Sequence, residues 1–539
     1  MANIFKSPCD EAEIRTRAAV APCARRAGRW VLAATILGSS MVFIDGTVVN
    51  VALPALQSNL NATVVDVQWV VESYGLLLAS LLLVGGSLGD RFGRKIVYVI
   101  GIGIFAAASA LCGLAQNINH LIAARALQGI GGALLVPVSL AIISASFAEE
   151  DRGKAIGAWS AFTSITAAIG PILGGWLIEH ISWRAAFFIN LPIAALVFAI
   201  TSWRVPESRD LSKHESVDWA GAGLGTIGLG GLVYGLVESS NLGFSNSRVI
   251  FAITGGSAIL AMFLLAEARS RDPMLPLSLF RSKTFSGANL LTFLLYAALS
   301  GGLFFLPLNL IQVQGYPPTA AGAAFLPFIL IMFLLSRWSG GLITRYGARL
   351  PLVVGPVIAA LGFSLFMLPG VGGSYWTHFF PALVVLGLGM AISVAPLTTA
   401  VMNSIDENQA GIASGTNNAV SRTAGVLSVA VLGVVMLHAY DGSLSRRLTE
   451  IGVAENLRHE FERQHTKLAA VEIPEGLGRD VRESLESAID ASFVSAFRLI
   501  MGIAAALALT GALGAWITIG TGRESNRSGL HGPNRLGAR

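Results

Sequence analysis

The sequence predicts an all-α integral membrane protein: two six-helix bundles related by a pseudo-twofold axis, with two further helices inserted between them. The mean hydropathy is +0.65, and only 13% of the 539 residues are charged, against about 25% in soluble domains. Apolar windows of about 20 residues, enough to cross about 30 Å of hydrocarbon, recur about fourteen times. A charged loop between two of these windows recurs in the second half of the chain.

The apolar windows divide the chain into five regions. Most Lys and Arg residues fall in the tails and in short loops on one side, so the positive-inside rule predicts a multi-pass protein of the bacterial cytoplasmic (inner) membrane with both termini cytoplasmic. The net charge of +5 therefore reflects topology, and no nucleic-acid partner is expected. The regions are a cytoplasmic N-terminal tail (1–29), the first bundle (30–203), the inserted pair with flanking loops (204–283), the second bundle with an outer loop at 438–491 (284–519), and a cytoplasmic C-terminal tail (520–539).

The loop GGSLGDRFGRK at 85–95 follows the second apolar window and carries four charges. Placing it in hydrocarbon would cost several kcal/mol, so it must lie at an aqueous face. The loop GGLITRYGAR at 340–349 follows a similar pattern and indicates an internal repeat. Two related halves are typical of secondary transporters, whose binding site lies at the interface between the halves.

Five motifs, in this order along the chain, resemble those of a known family. They are FIDGTVVNVALPAL (43–56), GDRFGRK (89–95), ARALQGIGGALLVP (124–137), AIGPILGGWL (168–177) and SWRAAFFINLP (182–192). Together they are similar to the signatures of the major facilitator superfamily, in particular its fourteen-span drug:proton antiporter branch. The resemblance implies bundles that rock about a central cavity and export amphipathic or cationic drugs, with the proton gradient as energy source and no cofactor.

The resemblance also implies roles for two sets of residues. The loop motif would hold neighbouring helices together in the outward-facing state, and the fifth-span motif would seal the antiporter against leakage. The small residues of the fifth-span motif permit close contact between helices. Ordinary helix packing is the alternative role for them, and because such packing would itself form the seal, the two roles overlap. The first set is Gly86, Asp90, Arg91, Gly93 and Arg94; the second is Gly170, Pro171, Gly174 and Gly175.

Three ionisable residues inside spans are candidates for proton coupling: Asp45, Glu72 and Arg125. Burial of a charge in a membrane must be compensated, so such residues are functional candidates by default. Their distances from the span ends allow all three to occupy one layer. Asp45 could instead simply unwind its helix, Glu72 could be a hydrated rim residue, and Arg125 could form a fixed structural ion pair.

A central cavity with aromatic and amide lining is expected for a transporter of amphipathic molecules. Arg422 lies deep in its span, where it could bind an anionic substrate or join helices, and the sequence does not separate these readings. The predicted lining residues are Trp69, Tyr74, Asn309, Asn417 and Arg422.

The expected partners are a small-molecule substrate, protons and the lipid bilayer. The outer loop 438–491 has apolar residues at helical spacing on both sides of Pro474 and Gly476, which predicts a helical hairpin on the outer face. This hairpin could be a solvated cap or a docking surface for a periplasmic adaptor protein. The three cysteines lack metal-ligand spacing, and no metal site or catalytic residue is expected. Two other functions stay open: a dedicated exporter of an endogenous metabolite, lipid or siderophore, and a membrane sensor or scaffold without transport.

Overall fold

The computed structural model describes residues 25–209, 218–270, 273–405, 410–453, 455–474 and 477–520, and within these ranges all regular elements are helices. The predicted tails 1–29 and 520–539 lie almost wholly outside them. The first bundle consists of α1 (Arg25–Leu60), α2 (Val64–Phe92), α3 (Arg94–Gly113), α4 (Ile118–Ser146), α5 (Glu149–His180), α6 (Ala185–Phe188) and α7 (Asn190–Arg204).

The inserted region and the second bundle complete the chain. The inserted region consists of α8 (Trp219–Leu242), α9 (Ser247–Arg269) and a 3-10 turn (Leu277–Arg281). The second bundle consists of α10 (Lys283–Phe304), α11 (Leu306–Leu308), a π turn (Asn309–Val313), α12 (Pro318–Ala323), α13 (Leu326–Gly340), α14 (Leu342–Tyr346), α15 (Arg349–Leu365), α16 (Tyr375–His378), α17 (Phe380–Asn403), α18 (Ala410–Ile451), α19 (Glu455–Arg463), a 3-10 turn (His465–Ala470) and α20 (Arg479–Thr518).

The helical membrane fold agrees with the prediction. Among the described residues, 12 segments are long and apolar enough to cross a membrane. Two of the predicted spans, 155–178 and 350–370, fall instead on α5 and on the 17-residue helix α15, which are not among those segments. A total of fourteen spans therefore stays a prediction.

The inserted pair lies beside the seam between the bundles. Helix α8 packs against α2 of the first bundle and α18 of the second, and α9 packs on the far side of α8. Only 11% of the most apolar window of α9 is buried, so this helix presents its apolar side chains to lipid.

The charged loop at 85–95 is a sharp break between two helices. Helix α2 begins with a capping box, in which Thr63 and Asp66 bind each other's backbone amides, and continues as far as Phe92. Gly93 then takes φ +112°, a conformation that side chains rarely adopt, and α3 begins at Arg94. Gly347, the equivalent glycine of the second loop, also has a positive φ of +75° between α14 and α15. This shared break supports the internal repeat.

The two bundles meet closely at one end, which we call the hairpin end because it carries 438–491. Three hydrogen bonds join the bundles there: Gln312 to Gln57 (2.8 Å), Gln68 to the Val429 carbonyl (3.2 Å) and the Thr319 amide to Glu179 (3.1 Å). Helices α5 and α12 also touch, since a Cβ built on Gly175 would lie 2.3 Å from the Pro318 carbonyl oxygen. The molecule is therefore in a conformation that is closed at this end.

The predicted helical hairpin at 438–491 has a different construction from that expected. Its apolar residues do lie on helices, but the two arms are continuations of α18 and α20 beyond the membrane, joined by α19 and the 3-10 turn. At 42 residues and 1.5 Å per residue, α18 is about 63 Å long, twice the hydrocarbon thickness. The 3-10 turn contacts α1, α2 and the π turn, so the segment covers both bundles at the hairpin end.

We expect Gly93→Ala to destabilise the protein by about 1–3 kcal/mol, because its φ is unfavourable for alanine. A Cβ at this position would also lie 2.8 Å from Glu207 Oε1. Reversible unfolding in mixed micelles measures the change. Gly103→Ala in α3 is the control: a Cβ there meets nothing within 4 Å, and alanine is the better helix former. Equal stability of the two variants would contradict the prediction.

Candidate functional site

A cluster of polar side chains lies buried inside the first bundle, where apolar packing would be expected. Its members come from four helices: Asp45 from α1, Ser109 from α3, Arg125 and Gln128 from α4, and Asn190 from α7. Each is at most 1% exposed. We call these five residues the buried polar cluster.

Asp45 is the centre of the cluster, and both of its carboxylate oxygens are bound. Oδ2 accepts a charge-assisted hydrogen bond from Arg125 Nη1. Oδ1 accepts hydrogen bonds from Gln128 Nε2 at 2.8 Å and from Asn190 Nδ2 at 3.0 Å. A buried carboxylate is tolerated when it is paired and hydrogen-bonded in this way.

Arg125 is fixed on three sides. Its Nε donates to the Val70 carbonyl of α2 at 3.1 Å, and its Nη1 also donates to Gln128 Oε1 at 2.7 Å. The guanidinium carbon lies 4.0 Å from the centre of the Tyr74 ring, a favourable cation–π distance. The Asp45–Arg125 ion pair thus connects α1, α2 and α4.

Glu72, the third predicted proton-coupling residue, lies apart from this ion pair. It is one helical turn beyond Gln68, whose amide bonds α18, so both side chains are on the α18 side of α2. Glu72 is 1% exposed, and within the described ranges neither carboxylate oxygen has a hydrogen-bond partner. The structure brings Asp45 and Arg125 together but does not join Glu72 to them.

Three of the predicted cavity residues have other contacts. Trp69 donates to Glu238 of α8 at 2.9 Å, so it joins the inserted helix to α2. Asn309 is buried in the π turn and accepts from Gln314 at 3.2 Å. Asn417 donates to Asn289 and Thr292, which fixes α18 to α10. The polar groups of these three residues are therefore used in contacts within the protein, and their place in a cavity lining stays a prediction.

Tyr74 and Arg422 do lie near the seam between the bundles. Tyr74 covers the Arg125 guanidinium and donates its hydroxyl to the Val42 carbonyl at 3.3 Å. Arg422 is partly exposed. Val426, one turn after it, lies against Gly75 of α2, and Gly425 lies against Ser300 of α10.

The fifth-span glycines pack against both bundles. A Cβ on Gly170 would lie 2.0 Å from Thr47 Oγ1, and one on Gly174 would lie 2.7 Å from Val48, both on α1. On the other side, the Pro171 carbonyl oxygen lies 2.0 Å from a Cβ built on Gly322 of the second bundle. The motif therefore occupies the contact that closes the hairpin end.

The loop motif at 85–95 is fixed by the segment that follows α7. Asp90 pairs with Arg94 at 2.7 Å, one turn away. The Glu207 carboxylate accepts from the backbone amides of Lys95 at 3.0 Å and Ile96 at 3.2 Å, at the positive N-terminal end of α3. Arg91 points to solvent. In this conformation the motif is tied to its own bundle.

Sequence reasoning missed four of these residues. Gln128 lies one turn after Arg125, Asn190 lies inside the recognised stretch SWRAAFFINLP, and Glu207 directly follows the end of a span. Each of these positions was a usable signal. Ser109, which accepts from Gln128 at 2.7 Å and from Asn190 at 3.2 Å, sits in an apolar run that gives no such signal.

The fold and the buried ion pair are those expected of a multi-pass helical membrane transporter. Residues 35–429 match the Major Facilitator Superfamily. The chain therefore belongs to this superfamily and is a transporter rather than an enzyme.

Similar proteins include several named for drug resistance. The chain is 33% identical over 495 residues to the tetracenomycin C resistance and export protein of Streptomyces glaucescens, covering 90% of this chain and 91% of that protein. It is 36% identical over 408 residues to the methylenomycin A resistance protein of Bacillus subtilis (strain 168), covering 75% and 87%. Among solved structures, a bacterial homologue of the human lysosomal transporter Spinster in an inward-facing and occupied conformation has a TM-score of 0.63 and 17% identity, covering 92% and 98%.

We expect the Asp45–Arg125 pair to be strongly coupled in stability. Arg125→Leu should destabilise the protein by about 3–5 kcal/mol, because it leaves a buried carboxylate without its counter-charge. Adding Asp45→Asn should recover much of that loss. Reversible unfolding of both single variants and the double variant measures the coupling.

The control is the same cycle on the partly exposed Asp90–Arg94 pair, with Asp90→Asn and Arg94→Leu. Its coupling should stay below about 1 kcal/mol. Additive effects of the Asp45 and Arg125 substitutions would show that the buried pair is not a unit.

Proposed function

We propose that this protein is a proton-coupled secondary active exporter of drugs and other toxic small molecules that works by alternating access. The observation that carries the proposal is the Asp45–Arg125 ion pair. It lies in the middle of a bundle, it holds three helices, and its carboxylate is the kind of group that can take up and release a proton. Protonation of Asp45 would remove the charge that holds Arg125 and so loosen the contacts of α1 with α2 and α4.

Coupling requires that the proton and the substrate favour different arrangements of the bundles, since a ligand that binds both equally shifts nothing. Glu72 is a second candidate proton site, because a carboxylate buried without hydrogen-bond donors is costly as an anion. It lies on the seam between α2 and α18, which must open in the other conformation. Its protonation would therefore be linked to the closure of that seam.

The orientation follows from the distribution of basic residues in the sequence. We place the loop motif and both termini in the cytoplasm and the hairpin end outside the bacterial inner membrane. In that orientation the conformation described above is closed to the outside. The segment 438–491 then lies on the outer surface, where it could serve as a cap or as a docking site for an adaptor protein.

The names of the relatives support a drug as substrate. A dedicated exporter of one endogenous compound is the second candidate, favoured by the relative named for tetracenomycin C resistance and export, which matches 90% of the chain. Biosynthetic genes beside the coding sequence would favour that alternative. The Asp45–Arg125 pair argues against a sensor or scaffold without transport, since such a protein has little use for buried charge.

We expect Asp45→Asn to abolish proton-coupled exchange while leaving the protein folded. The asparagine carbonyl can still accept from Arg125, but the side chain can no longer take up a proton. Proteoliposomes with an imposed pH gradient and a fluorescent cationic dye measure exchange, and thermal unfolding measures the fold.

The control for this experiment is Glu483→Gln, which removes an exposed carboxylate on α20 and should leave exchange unchanged. Full dye/proton exchange by Asp45→Asn would refute the assignment of Asp45 as a coupling residue.

We expect Glu207→Gln to slow transport a few-fold without changing the substrate concentration for half-maximal rate. The substitution removes the charge that stabilises the N-terminus of α3, an interaction of roughly 0.3–1 kcal/mol, and it touches no part of the seam. Initial rates over a range of dye concentrations separate the two parameters. A changed half-maximal concentration at an unchanged maximal rate would mean that Glu207 acts on substrate binding instead.

A further inference from the structure

Arg422 is a cation on the seam between the bundles, well inside the membrane. It lies twelve residues after Ala410, the first residue of α18, which is about 18 Å along the helix at 1.5 Å per residue. Its neighbours on the same face contact α2: Gly415 lies against Leu83, and Val426 lies against Gly75. A ligand at Arg422 would therefore touch both bundles.

The guanidinium of Arg422 has no acceptor among the described residues. Two other arginines within the spans are bound: Arg125 to Asp45, and Arg498 to the carbonyls of Leu368 and Pro369. Their guanidinium groups join helices. Arg422 makes no such bond to the described helices, so the helix-joining reading that the sequence left open has no contact to support it. All five of its N–H donors are available.

Tyr296 of α10 supplies a second available donor beside Arg422. Ser300, one turn after Tyr296, lies against Gly425, which is three residues after Arg422, so Tyr296 and Arg422 are at the same level of the contact between α10 and α18. In the described ranges the Tyr296 hydroxyl makes no hydrogen bond. Tyr74, the other aromatic neighbour of Arg422, uses its hydroxyl on the Val42 carbonyl. Two donors without acceptors in the described ranges thus lie at the same level on α10 and α18, an arrangement that suits an oxyanion such as a carboxylate.

The surroundings of Arg422 are polar and partly open. Asn418, one turn away on α18, is exposed, and Arg422 and Tyr296 are partly exposed. Polar side chains in mid-span usually face the interior of the bundle or a water-filled cavity. A water-filled approach would let a soluble ligand reach the guanidinium.

The charges of the first bundle do not neutralise Arg422. Asp45 is already paired with Arg125, and among the described residues neither oxygen of Glu72 has a hydrogen-bond partner, Arg422 included. Gln68, one turn before Glu72 on α2, bonds the Val429 carbonyl, which lies seven residues beyond Arg422 on α18. Because an unpaired cation repels cations and attracts anions, this place selects for negative charge.

We propose that Arg422 and Tyr296 form a subsite for the carboxylate of an organic anion, so that the substrates include aromatic acids as well as cationic compounds. This inference rests on the proposed exporter function and specifies its substrate class. Binding there would engage α10 and α18 of the second bundle beside α2 of the first, and would therefore bias their relative arrangement.

The test is dye binding to the purified full-length protein in detergent, followed by fluorescence anisotropy. Fluorescein is the anionic probe and rhodamine 123 the cationic probe on a related ring system. We expect saturable binding of fluorescein to the wild type and about a tenfold loss of affinity in Arg422→Gln, in line with a charge-assisted contact. Arg422→Lys and Tyr296→Phe should each lose a few-fold, and the affinity for rhodamine 123 should not fall in any of them.

Arg248→Gln removes an equal charge from an exposed position at the start of α9 and is the matched control. Thermal unfolding checks each variant; if Arg422→Gln does not fold, Arg422→Lys and Tyr296→Phe decide the question. No saturable binding of fluorescein to the wild type, or wild-type affinity in the variants, would overturn the subsite. An equal loss for both dyes would also overturn it, because it would indicate a role in holding the bundles.

Failure of the proposed function gives a different result from failure of the subsite. A wild type that exchanges rhodamine 123 for protons but does not bind fluorescein keeps the exporter function and loses the anion subsite. A wild type that binds fluorescein through Arg422 but exchanges neither dye keeps the subsite and loses the exporter function.

Discussion

The ion pair between Asp45 and Arg125 is the interaction on which the first bundle depends. Two opposite charges in a low-dielectric interior attract strongly, but each loses its hydration, so the pair is stable only when its remaining donors and acceptors are also bound. Gln128, Asn190 and the Val70 carbonyl meet that requirement. Neutralising the Asp45 carboxylate would weaken the contacts of four helices at once, because the cluster joins α1, α2, α4 and α7.

The hairpin end and the loop-motif end differ in how they are held. At the hairpin end the bundles bind each other through backbone carbonyls, amide side chains and closely packed glycines, all of which can separate without leaving a buried charge behind. At the other end, Glu207 and Gly93 set the angle between α2 and α3 within one bundle. Rocking of rigid bundles needs both properties: contacts between the bundles that can open, and fixed angles between consecutive helices within each bundle.

Hydropathy and the loop repeat predicted the helical membrane fold, because membrane thickness constrains the length of every span. They also predicted Asp45 and Arg125, since buried charge is conspicuous in an apolar run. Ser109, which accepts from Gln128 and Asn190 in the same cluster, was beyond prediction, because one hydroxyl in a span does not reveal which helix it faces. The helix contacts of Trp69 and Asn417 were beyond prediction for a related reason: the polarity of a residue in a span does not show which neighbouring helix it bonds. The arms of 438–491 were read as a separate hairpin, since apolar spacing does not show where a membrane helix continues into water.

Arg422 illustrates how the structure adds to the sequence. The sequence and the structure both place this arginine deep in a span, where burying a charge costs free energy unless a partner compensates it. The sequence allowed a helix contact or a ligand as that partner. In the described chain its neighbouring positions on α18 do make the helix contacts, through glycine and valine, and the guanidinium itself is partly exposed, without an acceptor, at the level of Tyr296 on α10. A ligand that pairs with Arg422 can dissociate again, whereas a helix that paired with it would stay in place. An arginine left for the ligand therefore suits a transporter, which must release what it binds.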